Sequence, residues 1–386
     1  TWPRQTFDHG EIHDMKKKLS RRQLMMTALL GGGYVGLHSL ATGLPIEWFR
    51  TGRIPDASAQ DMPEKSPQFL ILSTHKNGDP FNINCPGSYG VEGVYNNPLL
   101  ETAMVGLGAS SHRAAKQWND LPNWARNRMS FIHHRTYQNT HPQYDKVMTL
   151  LGNVKSAAGN GTDHLSALMS AENSSTLGTI QSEQVSLGGG EVSFNGRSIQ
   201  SLKPTLLKQM LAPLPEDRIG LQVLRDRTLD KIYAFHKENG TPAQREWIDR
   251  HALSKQQARQ IDENLLARLS NIDDNDPDSQ IRAAVTLILM KVSPVVTLHI
   301  PFGGDNHADQ GFVKEYEETV SGIASLKLLF EEIDAAGLRD HVTVANFGVF
   351  GRTLAKKNEK GRDHNLNHHV TMIAGANVKP GVIGSI

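Results

Sequence analysis

The hydrophobic pattern alternates between short runs rich in β-branched residues and longer amphipathic repeats. The short runs predict buried strands at 68–74, 295–300, 341–347 and 371–375. Repeats at helical spacing predict helices at 281–290 and 312–337, the second ending at a glycine, which is favoured at helix C-termini. Because strand, helix and strand in this order form a right-handed parallel unit, the pattern predicts an α/β fold with a parallel sheet.

A second helical pattern lies before this unit. Thr241-Pro242 offers an N-cap and a proline at the first helical position, and leucines then recur at helical spacing. We therefore predict a helical insertion at about 200–275. The acidic run at 273–278 lacks the glycine and the distal glutamate of an EF-hand, so we interpret it as a solvated linker and helix cap, with a calcium loop as the alternative.

Composition narrows the chemistry that the chain can carry. The 386 residues can bury a sizeable core, and the formal net charge of +1 predicts no nucleic-acid partner. Cys85 is the single cysteine, which excludes an internal disulfide and most cysteine-based metal sites. Any metal must therefore be bound by His, Asp and Glu.

The N-terminal region has the pattern of an export signal. Arg21-Arg22 lie in a basic stretch, and an apolar run follows from Leu24 to about Ile46. This arrangement resembles a twin-arginine signal, with a small-x-small cleavage pattern at 57–59. We predict a signal and upstream extension at 1–59, an α/β domain at 60–386, passage through the twin-arginine translocase, and a periplasmic or secreted protein. The alternative is an uncleaved signal that anchors the protein in the membrane.

Polar side chains follow two of the predicted strands. Asp305 and His307 lie in the glycine-rich loop after 295–300, and Asp363 and His364 lie beyond the strand at 341–347. Because the carboxyl ends of neighbouring parallel strands meet at one edge of a sheet, the two clusters can come together. Such mixed oxygen and nitrogen ligands suit a divalent metal, most often Zn, with Mn or Fe also possible. The alternative is a pair of polar loops without a metal.

Two further groups are candidates for the same metal site. Asp79 lies in the loop after the first predicted strand, and we expect it to converge with the two clusters within roughly 8 Å, a spread that allows one or two metals. His368 is the other candidate ligand. Since His368 and His369 point in different directions in a regular backbone, at most one can join the site, and we expect the other to face solvent.

Four motifs together carry a family resemblance: NGDPFN at 77–82, GGDNH at 303–307, FGRT at 350–353 and GRDH at 361–364. With the export signal they resemble the bacterial domain-of-unknown-function 1501 family, which is similar to the alkaline phosphatase and sulfatase superfamily. The resemblance implies a three-layer α/β sandwich with a mostly parallel central sheet and metals at the carboxyl ends of its strands. The family continues beyond the position of Ile386, so we expect a final strand and helix after it.

The resemblance also implies roles for residues outside the metal loops. Thr140 precedes a predicted helix at 143–151 and is the candidate nucleophile, with an ordinary N-cap threonine as the alternative. Arg352 is the candidate cation that binds an anionic group, because guanidinium binds oxyanions through two parallel hydrogen bonds. The alternative for Arg352 is a salt bridge that ties its loop to the sheet.

The resulting hypothesis is an exported metal-dependent hydrolase that acts on a small phosphate or sulfate ester. The rival is a periplasmic or cell-surface binding protein that keeps the fold without turnover. The rival is favoured by Val349, which stands where the family commonly has an acidic residue. A third possibility, electron transfer through a histidine-rich site, lacks Cys and Met ligands at useful spacing.

Overall fold

The computed structural model describes residues 67–73, 81–136, 139–141, 164–211, 227–241, 268–300, 302, 305–348, 350–355 and 360–386, apart from positions 82, 178, 180–181, 189–191, 195–196, 229, 232–233 and 236. The predicted signal, Asp79, Val349, the predicted helix at 143–151 and much of the predicted helical insertion lie outside these residues. In the described part of the chain, no helix is both long enough and apolar enough to cross a membrane.

The centre of the molecule is a seven-stranded sheet. Its strands are β1 (Gln68–Ser73), β4 (Met129–His134), β5 (Val185–Ser186), β8 (Val295–His299), β9 (Val342–Phe347), β12 (His369–Gly375) and β13 (Gly381–Ile383). They lie in the order β13-β4-β12-β9-β1-β8-β5. Three two-stranded pairs also lie in the described part of the chain: β2 (Thr102–Leu107) with β3 (Ser110–Ala115), β6 (Val192–Phe194) with β7 (Arg197–Ile199), and β10 (Gly351–Arg352) with β11 (His364–Asn365).

The sheet is mixed, and the prediction of a mostly parallel sheet is wrong. β1 is parallel to both β8 and β9, as the strand, helix and strand pattern predicts. β12, however, is antiparallel to both of its neighbours, β9 and β4. β8 and β9 are also not direct neighbours, because β1 lies between them. They still end at the same edge of the sheet, so the loops that follow them can meet.

Helices cover both faces of the sheet. The helices of the described residues include α1 (Asn123–Arg126), α2 (Leu165–Leu177), α3 (Pro204–Leu211), α4 (Pro277–Leu289) and α5 (Val313–Ala335), with short 3-10 turns at Lys116–Asp120 and Gln310–Phe312. Leu70 and Leu72 of β1 belong to the same buried cluster as residues of α4 and α5. Ile71, which points to the opposite face, packs in a separate cluster with Met169 of α2. The α/β class is therefore confirmed, with helices on either side of the sheet.

The acidic run before α4 is a helix cap, as interpreted from the sequence. Asp276 has an extended backbone and accepts a hydrogen bond from the Ser279 N–H at 2.8 Å, and Pro277 takes the first helical position. α4 is buried along most of its length, so this cap fixes the point at which the chain enters the core before β8.

Candidate metal centre

Three histidine side chains meet at the carboxyl edge of the sheet. Among the described residues, His141, His307 and His364 form a group that could hold a metal ion, with their ligand atoms all within 4.8 Å of one another. The Nε2 atom of His364 lies 2.8 Å from Nε2 of His307 and 3.1 Å from Nε2 of His141. The three imidazoles therefore point their Nε2 atoms at one small volume.

Three different segments bring these histidines together. His141 lies in the loop after β4, where the Thr136 N–H donates to the Leu366 carbonyl at 2.9 Å and so holds this loop beside the segment after β11. His307 lies in the loop between β8 and α5. His364 lies in β11, directly opposite Arg352 of β10. Because each segment follows a different strand of the sheet, the centre depends on the tertiary fold.

The donor set fits a divalent cation. Four ligand atoms at about 2.0–2.1 Å from a tetrahedral metal lie roughly 3.3 Å from one another. The two Nε2 separations that involve His364, 2.8 and 3.1 Å, are close to that value. In addition, a single N–H on His364 Nε2 cannot point straight at both neighbouring nitrogens. A cation at the common point would bind the lone pairs of all three rings. Imidazole nitrogen suits Zn or Fe, and a carboxylate oxygen beside it also suits Mn.

Asp305 supplies a carboxylate beside the three rings. Its Oδ2 lies 3.6 Å from His141 Nε2, and its Oδ1 lies 3.7 Å from His307 Nε2. Burial raises the pKa of Asp305, but the charges of Arg352, His307 and His141 lower it more, so the pKa lies below its usual value. Asp305 is therefore ionised at neutral pH and can act as a fourth ligand.

Asp363 contacts the opposite side of the His307 ring. Its Oδ1 lies 3.1 Å from His307 Nδ1, which is the nitrogen that does not face the other histidines. A carboxylate at this position accepts the Nδ1–H and leaves the Nε2 lone pair for a metal, as in many carboxylate–histidine–metal sites. The structure thus places the predicted ligand Asp363 where it orients His307, and its role as a direct ligand stays a prediction.

Arg352 lies against the centre with its side chain fully buried. Its Nη2 is 3.3 Å from Asp305 Oδ1, its Nη1 is 3.4 Å from His307 Nε2, and the guanidinium stacks on the Phe350 ring at 5.1 Å from the centroid. Arg352 thus forms a salt bridge, but with Asp305 of the loop after β8 and not with a residue of the sheet. It joins Arg352 to a candidate metal ligand, so the guanidinium also borders the candidate site.

His364 keeps its lone pair available at neutral pH. Burial lowers its pKa first, and the charges of Arg352 and His307 lower it further. A hydrogen bond to the backbone of Asn139 works in the opposite direction but is outweighed. The ring is therefore neutral at pH 7, which is the form that binds metals.

A buried ion pair holds the loops that carry these residues. Glu315, in the first turn of α5, and Arg362 have no exposed side-chain surface and form two hydrogen bonds at 2.7 and 3.1 Å. The same carboxylate accepts hydrogen bonds from Asn84 at 2.7 Å and Asn306 at 3.0 Å. Since Asn306 precedes His307 and Arg362 precedes Asp363, this network sets the distance between the two site loops.

Gly361 allows these two loops to approach. It has a φ of +92°, and a Cβ added there would lie 1.8 Å from the Asn306 carbonyl oxygen. A hydrogen bond also joins the two loops here, because the Arg362 N–H donates to the same Asn306 carbonyl at 3.2 Å. Only glycine suits both the positive φ and the short distance.

The structure does not bring His368 into the three-histidine group. Its Nε2 lies 2.9 Å from Nδ1 of His133, whose Nε2 donates to the Pro86 carbonyl at 3.0 Å. Because a carbonyl only accepts, His133 carries its proton on Nε2, and His368 must donate from Nε2. His369 stacks on His134 instead. Both His368 and His369 are buried, so the expectation that one faces solvent is wrong.

Sequence reasoning located part of this centre and missed part of it. Asp305, His307 and His364 lie together as predicted, with Arg352 beside them. His141 was not predicted as a ligand, although the preceding residue Thr140 is the candidate nucleophile. The signal that could have found it is the strand β4 before it, which ends at the same edge. Thr140 is exposed and precedes His141, and its role as nucleophile stays a prediction.

Part of the chain matches a known protein family. The sequence model of a family described as Protein of unknown function (DUF1501) matches residues 288–386. The matched part runs from the end of α4 to the last residue and contains Asp305, His307, Arg352, Asp363 and His364, whereas His141 precedes it. This match supports the resemblance of the chain to that family. No curated protein matches the chain.

Proposed function

We propose that this protein is an exported metal-dependent hydrolase that acts on a small phosphate or sulfate ester. The observation that carries the proposal is the convergence of three imidazole Nε2 atoms, an ionised Asp305 and the buried Arg352 guanidinium. Mixed nitrogen and oxygen ligands beside a fixed cation are suited to an oxyanion substrate, because both the metal and the guanidinium attract its negative charge.

The metal-binding part of the proposal assigns a role to each of five residues. His141, His307, His364 and Asp305 would hold a divalent metal, with Zn the first choice and Mn or Fe possible. A metal bound there supplies Lewis-acid polarisation of an ester oxygen and lowers the pKa of a bound water. Asp363 would keep the Nε2 lone pair of His307 directed at the metal.

The remaining steps are assigned to Arg352 and Thr140. The Arg352 guanidinium would bind two non-bridging oxygens of the phosphoryl or sulfuryl group and stabilise their charge as the ester bond breaks. The Thr140 hydroxyl, next to His141, is the proposed nucleophile: its oxygen attacks phosphorus or sulfur as the bond to the ester oxygen breaks. The hydroxyl proton passes to the departing alkoxide, which leaves as the alcohol. Water then releases the group from the threonine.

Other parts of the proposal rest on the sequence. The basic stretch around Arg21-Arg22 supports export by the twin-arginine translocase to the periplasm or beyond, either with cleavage or with the signal kept as an anchor. The motifs in the loops after β1, β8 and β9 support an arrangement like that of alkaline phosphatases and sulfatases. This likeness is an analogy of fold and motif, and the chemistry must be tested at the site itself.

The test combines metal content with turnover. The purified protein is analysed by inductively coupled plasma mass spectrometry and assayed with p-nitrophenyl phosphate and p-nitrophenyl sulfate. We expect one bound Zn, Mn or Fe and hydrolysis of at least one ester, both lost in His307→Ala. His112→Ala serves as the matched control, because His112 lies in β3 and contacts Ser110 rather than the centre.

The assay also separates the hydrolase from its rival. Bound metal without turnover, with the esters or their anions binding as ligands, would support a non-catalytic binding protein. Thr140→Ala adds a second distinction: we expect it to lose turnover and keep the metal. A protein without stoichiometric metal, and with the same activity in His307→Ala as in the wild type, would overturn the proposal.

A further inference from the structure

The buried Arg352 guanidinium contacts the two atoms that a metal in the centre would also use. Its Nη1 lies 3.4 Å from His307 Nε2 and its Nη2 lies 3.3 Å from Asp305 Oδ1. In the protein without a metal, the guanidinium therefore satisfies part of the charge and lone-pair capacity of two candidate ligands. A cation that binds to His307 and Asp305 competes with Arg352 for them.

Arg352 has little freedom to move out of the way. Its side chain is fully buried, and the guanidinium stacks on Phe350. Its backbone pairs with His364 in the β10–β11 ladder, and the Asn365 side chain donates to its carbonyl at 3.4 Å. A bound metal and the guanidinium would thus remain within a few ångströms of each other.

Two positive groups at this separation in a partly buried site repel each other. The repulsion is relieved by an anion that contacts both. A tetrahedral oxyanion has several equivalent oxygens, so one can face the metal while two others accept parallel hydrogen bonds from the guanidinium. Chloride, which has a single centre, cannot bridge the two groups in this way.

We infer that Arg352 couples metal binding to oxyanion binding, so that a tetrahedral oxyanion and the divalent metal each increase the affinity of the centre for the other. This inference rests on the proposed metal centre and extends it to the order and strength of ligand binding. By linkage the coupling factor is the same in both directions. The chemical class recognised is a phosphate or sulfate group, as the free anion or as an ester.

The test measures Mn²⁺ affinity of the full chain by titration calorimetry and by the EPR signal of free Mn²⁺. Titrations are run in sodium chloride, in sodium sulfate and in sodium phosphate at equal ionic strength. We expect sulfate or phosphate to tighten Mn²⁺ binding about tenfold relative to chloride, within the usual range of coupling between sites. The same shift should appear when sulfate or phosphate binding is measured with and without Mn²⁺.

Arg352→Gln should remove the coupling. We expect this variant to bind Mn²⁺ more tightly than the wild type in chloride, because the competing cation is gone, and to show no further gain with sulfate or phosphate. Arg352→Lys keeps the charge and should keep part of the coupling. Arg113→Gln, at an exposed position in β3, is the matched control and should behave like the wild type.

The outcomes separate this inference from the proposed function. Mn²⁺ binding that is equal in chloride, sulfate and phosphate would overturn the coupling and leave the metal centre standing. Failure to bind Mn²⁺ in all three salts, with Zn²⁺ giving the same result, would overturn both. Coupled binding without ester hydrolysis would support the inference. It would also show that the protein is a non-catalytic binding protein and not a hydrolase. The wild-type titrations decide the question even if Arg352→Gln does not fold.

Discussion

The carboxylate of Asp363 decides which nitrogen of His307 faces the candidate centre. Asp363→Asn keeps the shape of the side chain but removes the negative charge that accepts the Nδ1–H at 3.1 Å. We expect metal affinity to fall roughly 10–100-fold, the usual effect of losing such a partner, while the metal stoichiometry stays the same. Calorimetric titration with Zn²⁺ measures both quantities.

The comparison with His307→Ala shows whether Asp363 orients or ligates. His307→Ala removes a ligand and should abolish stoichiometric binding, whereas Asp363→Glu should recover part of the affinity lost in Asp363→Asn. If Asp363→Asn loses the metal as completely as His307→Ala, Asp363 is a direct ligand and the orienting role is wrong.

Two buried imidazoles next to the site make stability depend on pH. Burial, followed by the charges of nearby histidines, lowers the pKa of His369 to about 3 and that of His368 to about 4. The unfolded chain has ordinary histidine pKa values near 6.5, so between about pH 3 and pH 6.5 it binds more protons than the folded protein. The free energy of unfolding is therefore highest above about pH 6.5 and decreases as the pH falls towards 4 and then 3. Each group contributes a loss of up to about 1.4 kcal/mol per pH unit.

Urea denaturation of the metal-free protein between pH 7 and pH 4 measures this dependence. His369→Phe keeps a ring beside His134 and removes the titrating group, so the free energy of unfolding should fall less steeply with decreasing pH than in the wild type. His341→Phe, at an exposed position directly before β9, should leave the slope unchanged. Identical slopes in wild type and His369→Phe would show that His369 is not held neutral by the fold.

At the scale of elements, the Glu315–Arg362 pair holds the start of α5 against the loop before β11. Glu315→Gln would leave the Arg362 guanidinium buried with a weakened partner, and Asn84 and Asn306 would lose a charged acceptor. We expect the free energy of unfolding to fall by about 3–5 kcal/mol, the usual cost of breaking a buried pair from one side. Chemical denaturation monitored by circular dichroism measures the change.

The same helix provides a control for charge alone. Lys327 and Glu331 form an exposed pair one turn apart at 3.6 Å in α5. Glu331→Gln removes the same charge and should cost no more than about 0.5 kcal/mol, because exposed pairs are screened by water. Equal losses for Glu315→Gln and Glu331→Gln would mean that the buried network does not hold the loops.

Local pattern predicted the elements better than their arrangement. The strands at β1, β8 and β9 and the helix α5 lie within a residue or two of the predicted limits, because each has a clear hydrophobic period. The direction of β12 was not predictable in the same way. Its seven residues HVTMIAG are buried on both faces of the sheet apart from the half-buried Ile373, and its antiparallel pairing with β9 and β4 is set by contacts distant in sequence.

At the scale of the whole molecule, the candidate centre could be predicted only where a ligand follows a recognised strand. Asp305, His307 and His364 satisfy that condition and meet as expected. His141 comes from the loop after β4, whose place in the sheet depends on pairing with β12 and β13. The distinction between a ligand and an orienting group, as for Asp363, requires the distance to a ring nitrogen, and sequence spacing does not contain it.

Because the three histidines come from segments that follow different strands, a metal bound by all of them would link distant parts of the chain. Such a metal binds the folded protein and not the unfolded one, so it should stabilise the fold by about 2.7 kcal/mol at a free concentration of 100 times Kd. For a domain of this size that corresponds to a rise in Tm of roughly 5 °C. Differential scanning fluorimetry with Zn²⁺ or Mn²⁺, reversed by EDTA, measures the shift.

We expect the rise in Tm in the wild type and in His112→Ala, and not in His307→Ala or His364→Ala. A shift that persists in both site variants would place the metal elsewhere in the protein.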